Sequence, residues 1–200
     1  MCGRYYLDEE IKNERLIEQI RQAMRVSIKL CANMKTSGEI RPTDTVPALA
    51  PSAIRRNIGA FPMQWGFMHP KHKLLVFNTR SERAEEQDMF CASVDDRRCL
   101  IPASGYYEWK KGENGKKDRY AFFDPEEEPL YLAGLYIRSS EQKVPCFSIL
   151  TQDAVPGIKE IHLRMPVLVP YDRAEEWLSP DTDFKSMIKS LQPAITAEKR

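Results

Sequence analysis

From residue 54 to residue 151 the apolar residues come in short runs of roughly four to eight, each cut by a glycine, a proline or a cluster of charges. Long amphipathic helices need an apolar stripe held at 3.6-residue spacing over roughly ten positions or more, and this stretch offers few places for one. Runs at 54–58, 60–65, 74–77, 98–101, 105–110, 120–123, 130–137 and 145–151 read as strands. Lys110-Lys111-Gly112-Glu113-Asn114-Gly115-Lys116-Lys117 reads as a hairpin tip, by its Asn-Gly and its charge.

Helical spacing is confined to the flanks of this region, with one exception. Ile11, Leu16, Ile17, Ile20 and Met24 predict a helix over 8–26, with Asp8, Glu9 and Glu10 at its amino end. Residues 27–51, with Pro42, Pro47 and Pro51, read as loop with short extended pieces. Ser81 predicts the cap of a helix over 82–90, and further helical pieces fall at 171–178 and 183–191. The sum is an α+β fold dominated by antiparallel strands, in a single domain over residues 1–200.

With 42% apolar and 30% charged residues, the 200-residue chain has material for a real core and is not disordered. No apolar run approaches the roughly 18–20 residues of a membrane span. The start Met1-Cys2-Gly3-Arg4-Tyr5-Tyr6 lacks the features of a signal peptide, so a cytoplasmic protein with no membrane partner is expected. Thirty basic against 29 acidic residues, net +1, confine any nucleic-acid contact to a local basic patch. Five scattered cysteines, at 2, 31, 91, 99 and 146, argue for thiols rather than disulfides. His69-x2-His72 precedes Cys91 and Cys99, but Cys-x7-Cys is a poor zinc spacing, and no metal is expected.

The most reactive group lies at the amino end. Aminopeptidases remove an initiator methionine when the next residue is small, so the mature chain is expected to begin with Cys2. A free α-amine titrates near ~7.7–8 and a thiol near ~8.5, which makes such a residue a 1,2-aminothiol with two usable nucleophiles. Aldehydes condense with the amine as a Schiff base, and the thiol then closes a five-membered thiazolidine. Three more islands place polar residues in or beside apolar strands: Asn78-Thr79-Arg80-Ser81-Glu82, Gly105-Tyr106-Tyr107-Glu108-Trp109 and His162-Leu163-Arg164-Met165-Pro166. Glu108 between Tyr107 and Trp109 is either a desolvated proton-transfer group or a solvent-facing residue of an alternating strand. His162 is either a catalyst or a satisfied structural histidine. Asn78 suits an amide donor to a developing oxyanion or a turn cap. Arg4, Arg80 and Arg164 each follow one of these candidates by two residues, so they form a phosphate-binding rim if the candidates converge.

Taken together and in this order, the four islands resemble those of the SOS-response-associated peptidase (SRAP) family, whose members cross-link to abasic sites in single-stranded DNA. The resemblance runs over essentially the whole chain. It implies a barrel-like, mainly antiparallel core with flanking helices, acting as a cytoplasmic monomer, nucleoid-associated if bacterial, without a cofactor. It also implies Cys2 as the covalent nucleophile and Asn78 as the group that holds the sugar or the Cys2 end. Glu108 would orient the amine and shuttle protons, and His162 would act as acid/base on the sugar hydroxyl. Arg4, Arg80 and Arg164 would bind flanking phosphates, with Trp65, Pro42 and Met165 among the DNA-binding set. The family name reflects self-removal of residues before the cysteine.

Three departures from the family pattern stand out. Glu39-Ile40-Arg41-Pro42 replaces an Asn-x-Ala-Pro segment, with Pro42 as the clear match; Met68-His69-Pro70-Lys71-His72 replaces a second tryptophan-containing stretch; and the carboxyl end lacks a long strand-like tail. Two other readings compete. A glutamine amidotransferase also begins Met-Cys-Gly but needs glutamine-site motifs found in no useful place here. A single-stranded-DNA binding module would leave Cys2 purely structural.

Overall fold

The computed structural model describes residues 2–26, 28–52, 57–112, 115–138 and 142–200. Among them run, in order, β1 (Arg4–Leu7), α1 (Glu14–Arg25), α2 (Ile28–Cys31), β2 (Gly38–Ile40), β3 (Thr45–Pro51), β4 (Ile58–Trp65), β5 (Phe67–Met68), β6 (Leu75–Val76), β7 (Asn78–Arg80), α3 (Cys91–Asp96), β8 (Arg98–Ala103), β9 (Gly105–Lys111), β10 (Lys117–Phe123), β11 (Leu130–Ile137), β12 (Cys146–Asp153), β13 (Arg164–Pro166), α4 (Ala174–Leu178), α5 (Phe184–Ser190) and β14 (Thr196–Lys199).

Two sheets carry the site. The first has the order β14-β10-β9-β1-β2, all antiparallel. In the second, β11-β8-β3-β4-β12 closes on itself because β11 also pairs with β12, which makes a five-stranded barrel. Closure leaves those five strands without a free edge along the paired stretch. Strand β12 outruns the ring at its carboxyl end and takes β7 in parallel and β13 in antiparallel pairing. This α+β architecture, a mainly antiparallel barrel with flanking helices, is the one expected.

Burial on both faces explains the unbroken apolar runs of the barrel. In β11 seven of the eight residues Leu130–Ile137 are buried. Alternate residues serve different cores: Ile101 and Leu132 pack with Tyr5, Tyr106 and Phe122 of the first sheet, while Leu100 and Ala133 pack with Trp177 and Phe184 of the carboxyl-terminal helices. Helix α1 buries Leu16, Ile20 and Ala23, a stripe at helical spacing.

Several expectations need correction. Helix α1 starts at Glu14, not at residue 8, because the Asn13 side chain accepts the Leu16 N–H and caps it there. Residues 45–51 form a seven-residue barrel strand where loop was expected. Pro47 lies directly opposite Pro62 of β4. Two residues without N–H groups can face each other at a position where the ladder calls for no bond between them, so neither proline breaks the pairing. The helix expected over 82–90 is a single 3₁₀ turn, Ser81–Arg83, followed by turns, and the helix begins only at Cys91. Ser81 is buried and makes no side-chain cap. The carboxyl end does carry a strand, β14, on the outer edge of β10. The strand expected at 54–58 falls largely outside the described residues, as do Glu113 and Asn114 of the β9–β10 hairpin, whose arms pair as expected from Lys111↔Lys117 inward. Among the described residues, no helix is long and apolar enough to cross a membrane.

Candidate active site

Cys2 leads directly into β1, the strand of the first sheet flanked by β9 and β2. The register Arg4↔Tyr107 and Tyr5↔Tyr106 brings Glu108 of β9 alongside the chain's amino end. The other two candidates come from the β12 extension. Asn78 opens β7 opposite Ile149, and His162 sits two residues before Arg164, which pairs with Asp153. One strand of the barrel therefore positions Asn78 and His162 against a cysteine and a carboxylate held by the other sheet.

The contacts form two pairs, and the charge of Glu108 acting on Cys2 links them. Asn78 Nδ2 donates to the Cys2 carbonyl oxygen at 2.7 Å. His162 Nδ1 lies 3.8 Å from Glu108 Oε1. Cys2 is fully buried, and its thiol lies 3.6 Å from the Arg4 carbonyl oxygen. Burial, and then the nearby Glu108 carboxylate, push the Cys2 thiol well above its ordinary range. Burial likewise raises the Glu108 carboxyl, opposed by positive charge at the amino terminus and at His162. A carboxyl in this state takes up and releases a proton nearer neutrality than an exposed one. His162 Nδ1 is 2.9 Å from the carbonyl oxygen of Arg164 and 3.0 Å from its backbone nitrogen, so the two peptide groups flanking one residue offer an acceptor and a donor to the same ring nitrogen. Which of them is used follows the imidazole tautomer.

Three buried polar atoms around Cys2 have no hydrogen-bonding partner among the described residues: Asn78 Oδ1 and the hydroxyls of Tyr5 and Tyr106. Charge on the Cys2 thiolate would act on both tyrosines, whose hydroxyls burial already keeps protonated. Such groups are costly in an apolar interior and favour a polar ligand that would satisfy them. Neither tyrosine was given a role in the sequence, though Tyr106 lies within the Gly105–Trp109 island and Tyr5 directly follows Arg4.

The three arginines differ. Arg80 is exposed, and no hydrogen bond or ion pair among the described residues engages its side chain. Arg4 donates from Nε to Glu39 Oε1 at 3.2 Å and from Nη1 to the Gly3 carbonyl at 2.7 Å; Arg41 shares Glu39 at 2.8 Å. The two cations around one carboxylate leave the Arg4 side net positive. Arg164 is held by Glu82 and Asp153. Partial burial disfavours charge on Glu82, yet the Arg164 guanidinium outweighs it and keeps that carboxyl below its usual range. Glu82 stood in the Asn78-x-Arg80-x-Glu82 island with no role attached. Asp153 gave no signal of its own.

Two members of the expected DNA-binding set need correction. Trp65 is fully buried, stacked on Phe147 and packed on Tyr5 and Phe77, with its indole N–H donated to the Phe77 carbonyl at 2.8 Å. It supports the segment leading to Asn78 from beneath and presents no face to a base. Met165 is also fully buried, because the middle residue of β13 points into the core. Pro42 stays half-buried at the turn after Arg41. His69 Nδ1 accepts the N–H groups of Lys71 and His72, closing the β5–β6 hairpin.

The barrel and its companion sheet recur in solved proteins. A structure from Bacteroides thetaiotaomicron superposes with a TM-score of 0.78 at 18% identity, covering 99% of this chain and 91% of that one. One from Bordetella bronchiseptica gives 0.74 at 20% identity, covering 100% and 99%. These solved proteins share the fold, and the sequence places the chain in a family. The chain belongs to the SOS response associated peptidase (SRAP) family, whose sequence pattern matches residues 1–199. Curated relatives include the abasic site processing protein YoaM of Bacillus subtilis, 28% identical over 78% of this chain and 71% of that protein. The abasic site processing protein YedK of Escherichia coli is 28% identical over 62% and 57%. HMCES of Rattus norvegicus, of the same description, is 28% identical over 66% and 49%.

Proposed function

We propose that this protein processes abasic sites in single-stranded DNA by forming a covalent thiazolidine through Cys2. The observation that carries the reading is the convergence of Cys2, Asn78, Glu108 and His162 from two sheets onto one point. Its relatives' names as abasic site processing proteins point the same way.

The ring-opened sugar offers an aldehyde carbon. With Cys2 as the first residue, its α-amine adds to that carbon, and the carbinolamine loses water to give a Schiff base. The thiol sulfur then adds to the same carbon while its proton passes to the nitrogen by way of Glu108, closing the ring with net loss of one water. Burial keeps the thiol protonated, so the amine acts first and the thiol is held for the second step. Asn78 fixes the Cys2 carbonyl and leaves its own Oδ1 to accept from a sugar hydroxyl. His162 exchanges a proton with that hydroxyl during ring opening. Arg80 and the Arg4 side supply the phosphate contacts. The protein acts as a monomer without a cofactor, and any peptidase activity is limited to removing what precedes Cys2.

The test mixes the processed protein with a uracil-containing single-stranded oligonucleotide treated with uracil glycosylase, read by denaturing gel and intact mass. The expected adduct has the mass of protein plus abasic DNA minus one water and is absent in Cys2→Ser. A wild-type protein beginning at Cys2 that gives no adduct overturns the proposal.

A further inference from the structure

Arginine has five N–H donors and no acceptor. In Arg164, Nη1 donates to Glu82 Oε1 at 2.8 Å and Asp153 Oδ1 at 2.6 Å, while Nη2 donates to Glu82 Oε2 at 2.9 Å and the Thr151 carbonyl at 2.6 Å. The fifth donor, Nε, is buried without a partner among the described residues. The guanidinium is thus committed to the protein on four sides, and its last N–H faces no solvent. A phosphate oxygen has no free donor to meet there. The two-point fork to Glu82 is the strongest geometry a carboxylate can offer an arginine.

The clamp has a second end. The backbone of Arg164 supplies both the N–H at 3.0 Å and, from the next peptide group, the carbonyl at 2.9 Å that bracket His162 Nδ1. His162 also faces Glu108 and donates its backbone N–H to the Ile158 carbonyl at 3.1 Å, and exposed Leu163 alone stands between it and β13. Fixing the Arg164 side chain therefore fixes the backbone that sets the tautomer and aim of His162. Glu82 reaches across from the 3₁₀ turn right after β7, the strand that begins with Asn78.

We infer that Glu82, acting through Arg164, is a positioning residue for His162, and that this pair is an orienting clamp rather than part of the phosphate rim. The clamp couples the Asn78 and His162 segments, so the two groups that serve the sugar move as one. Its kinetic consequence rests on the proposed abasic-site reaction; its structural consequence does not. Asp153 is the more exposed partner, at 88% for its side chain against 49% for Glu82, and contributes one bond where Glu82 contributes two.

The experiment compares wild type, Glu82→Gln and Glu82→Asp in two measurements. The first is nitrogen NMR of histidine-labelled protein, in which three ring systems appear and His162 is assigned by its loss in His162→Gln. One tautomer of His162 is expected to dominate in wild type, with averaged signals in Glu82→Gln and partial return in Glu82→Asp. The second separates adduct formation at saturating abasic DNA from affinity for intact single-stranded DNA. Glu82→Gln is expected to slow adduct formation about tenfold, the scale of a small misplacement of a reacting group, with intact-DNA affinity and its salt dependence unchanged.

Unmoved His162 signals in Glu82→Gln overturn the inference. So does tighter, more salt-sensitive binding of intact DNA at an unchanged adduct rate, which would mean that a phosphate takes Arg164 once Glu82 lets go. Should wild type form no adduct, the proposed function falls and the NMR measurement alone decides the clamp. If Glu82→Gln does not fold, Glu82→Asp, which keeps the charge and shortens the reach, carries both comparisons.

Discussion

Asn78 Nδ2 and the Cys2 carbonyl oxygen stand 2.7 Å apart, a bond that ties the barrel to the residue leading the other sheet. Removing the amide in Asn78→Ala leaves a carbonyl at a fully buried residue without its donor, which costs about 1–2 kcal/mol of stability. The larger effect falls on reactivity. Adduct formation should slow by about 10- to 100-fold, because the nucleophile's carbonyl is no longer pinned. Thermal unfolding and single-turnover adduct kinetics measure the two; a full-rate Asn78→Ala protein would remove Asn78 from the mechanism.

Glu108 makes stability depend on pH in a direction opposite to most carboxylates. Its carboxyl is raised in the folded chain, chiefly by burial. Below the ordinary glutamate range it is protonated in folded and unfolded chains alike and costs nothing. As pH rises through that range the unfolded chain ionises first, so stability falls until the folded carboxyl also ionises. Glu108→Gln cannot ionise. The stability of Glu108→Gln relative to wild type should therefore grow between pH 4 and pH 7, read by chemical denaturation at each pH, and a gap that narrows instead would contradict the burial argument.

Trp65 belongs to the core, and its substitutions should read as core defects. Trp65→Ala should lose about 3–5 kcal/mol, the usual cost of deleting a buried aromatic. Trp65→Phe keeps much of the packing but drops the bond to the Phe77 carbonyl. Its affinity for intact single-stranded DNA should match wild type. A large affinity loss in a stably folded Trp65→Phe protein would show that the indole does reach the DNA.

Arg80 carries an exposed guanidinium beside the site. Arg80→Ala should weaken binding of intact single-stranded DNA and reduce the slope of log affinity against log salt by about 0.7, one phosphate contact on a single strand. Titrations at several salt concentrations settle it. An unchanged slope would place the phosphate elsewhere.

Gly105 has no room for a side chain. A β-carbon there would meet the Phe122 carbonyl oxygen and the Tyr6 hydroxyl at 2.5 Å each. Gly105→Ala should cost about 1–3 kcal/mol, since backbone of β10 must shift to admit it. The strain falls three residues from Glu108, so a drop in adduct rate should accompany the lower melting temperature.

Strands whose two faces are both buried were plain in the sequence, because burial demands apolar residues at every position. Leu130–Ile137 is the clearest case. Thr45–Pro51 was hidden by Pro47, whose compatibility with a strand depends on Pro62 lying opposite, a pairing that no local pattern reveals. The 82–90 helix failed for a related reason: Ser81 and Glu82 suggest a cap, but Ser81 is buried and Glu82 is drawn to Arg164, 82 residues away. Within the site, Cys2, Asn78, Glu108 and His162 stood out as polar residues at the ends of apolar runs, and the structure brings them together. Glu39 and Asp153, which pair with Arg4 and Arg164, were given no such part by the sequence. Their partners arrive through sheet pairing, so charge in the sequence could be counted but not assigned.

The pairing Tyr5↔Tyr106 separates β1 from its partner strand by about a hundred residues of chain. At a synthesis rate of about 5–20 residues per second, the first strand waits about 5–20 s on the ribosome before β9 exists to receive it. Throughout that interval Cys2, wholly enclosed in the finished fold, lies open to enzymes that trim nascent chains. Under the proposed function, which needs Cys2 as the first residue, this is the interval in which the residue before it would be removed most readily.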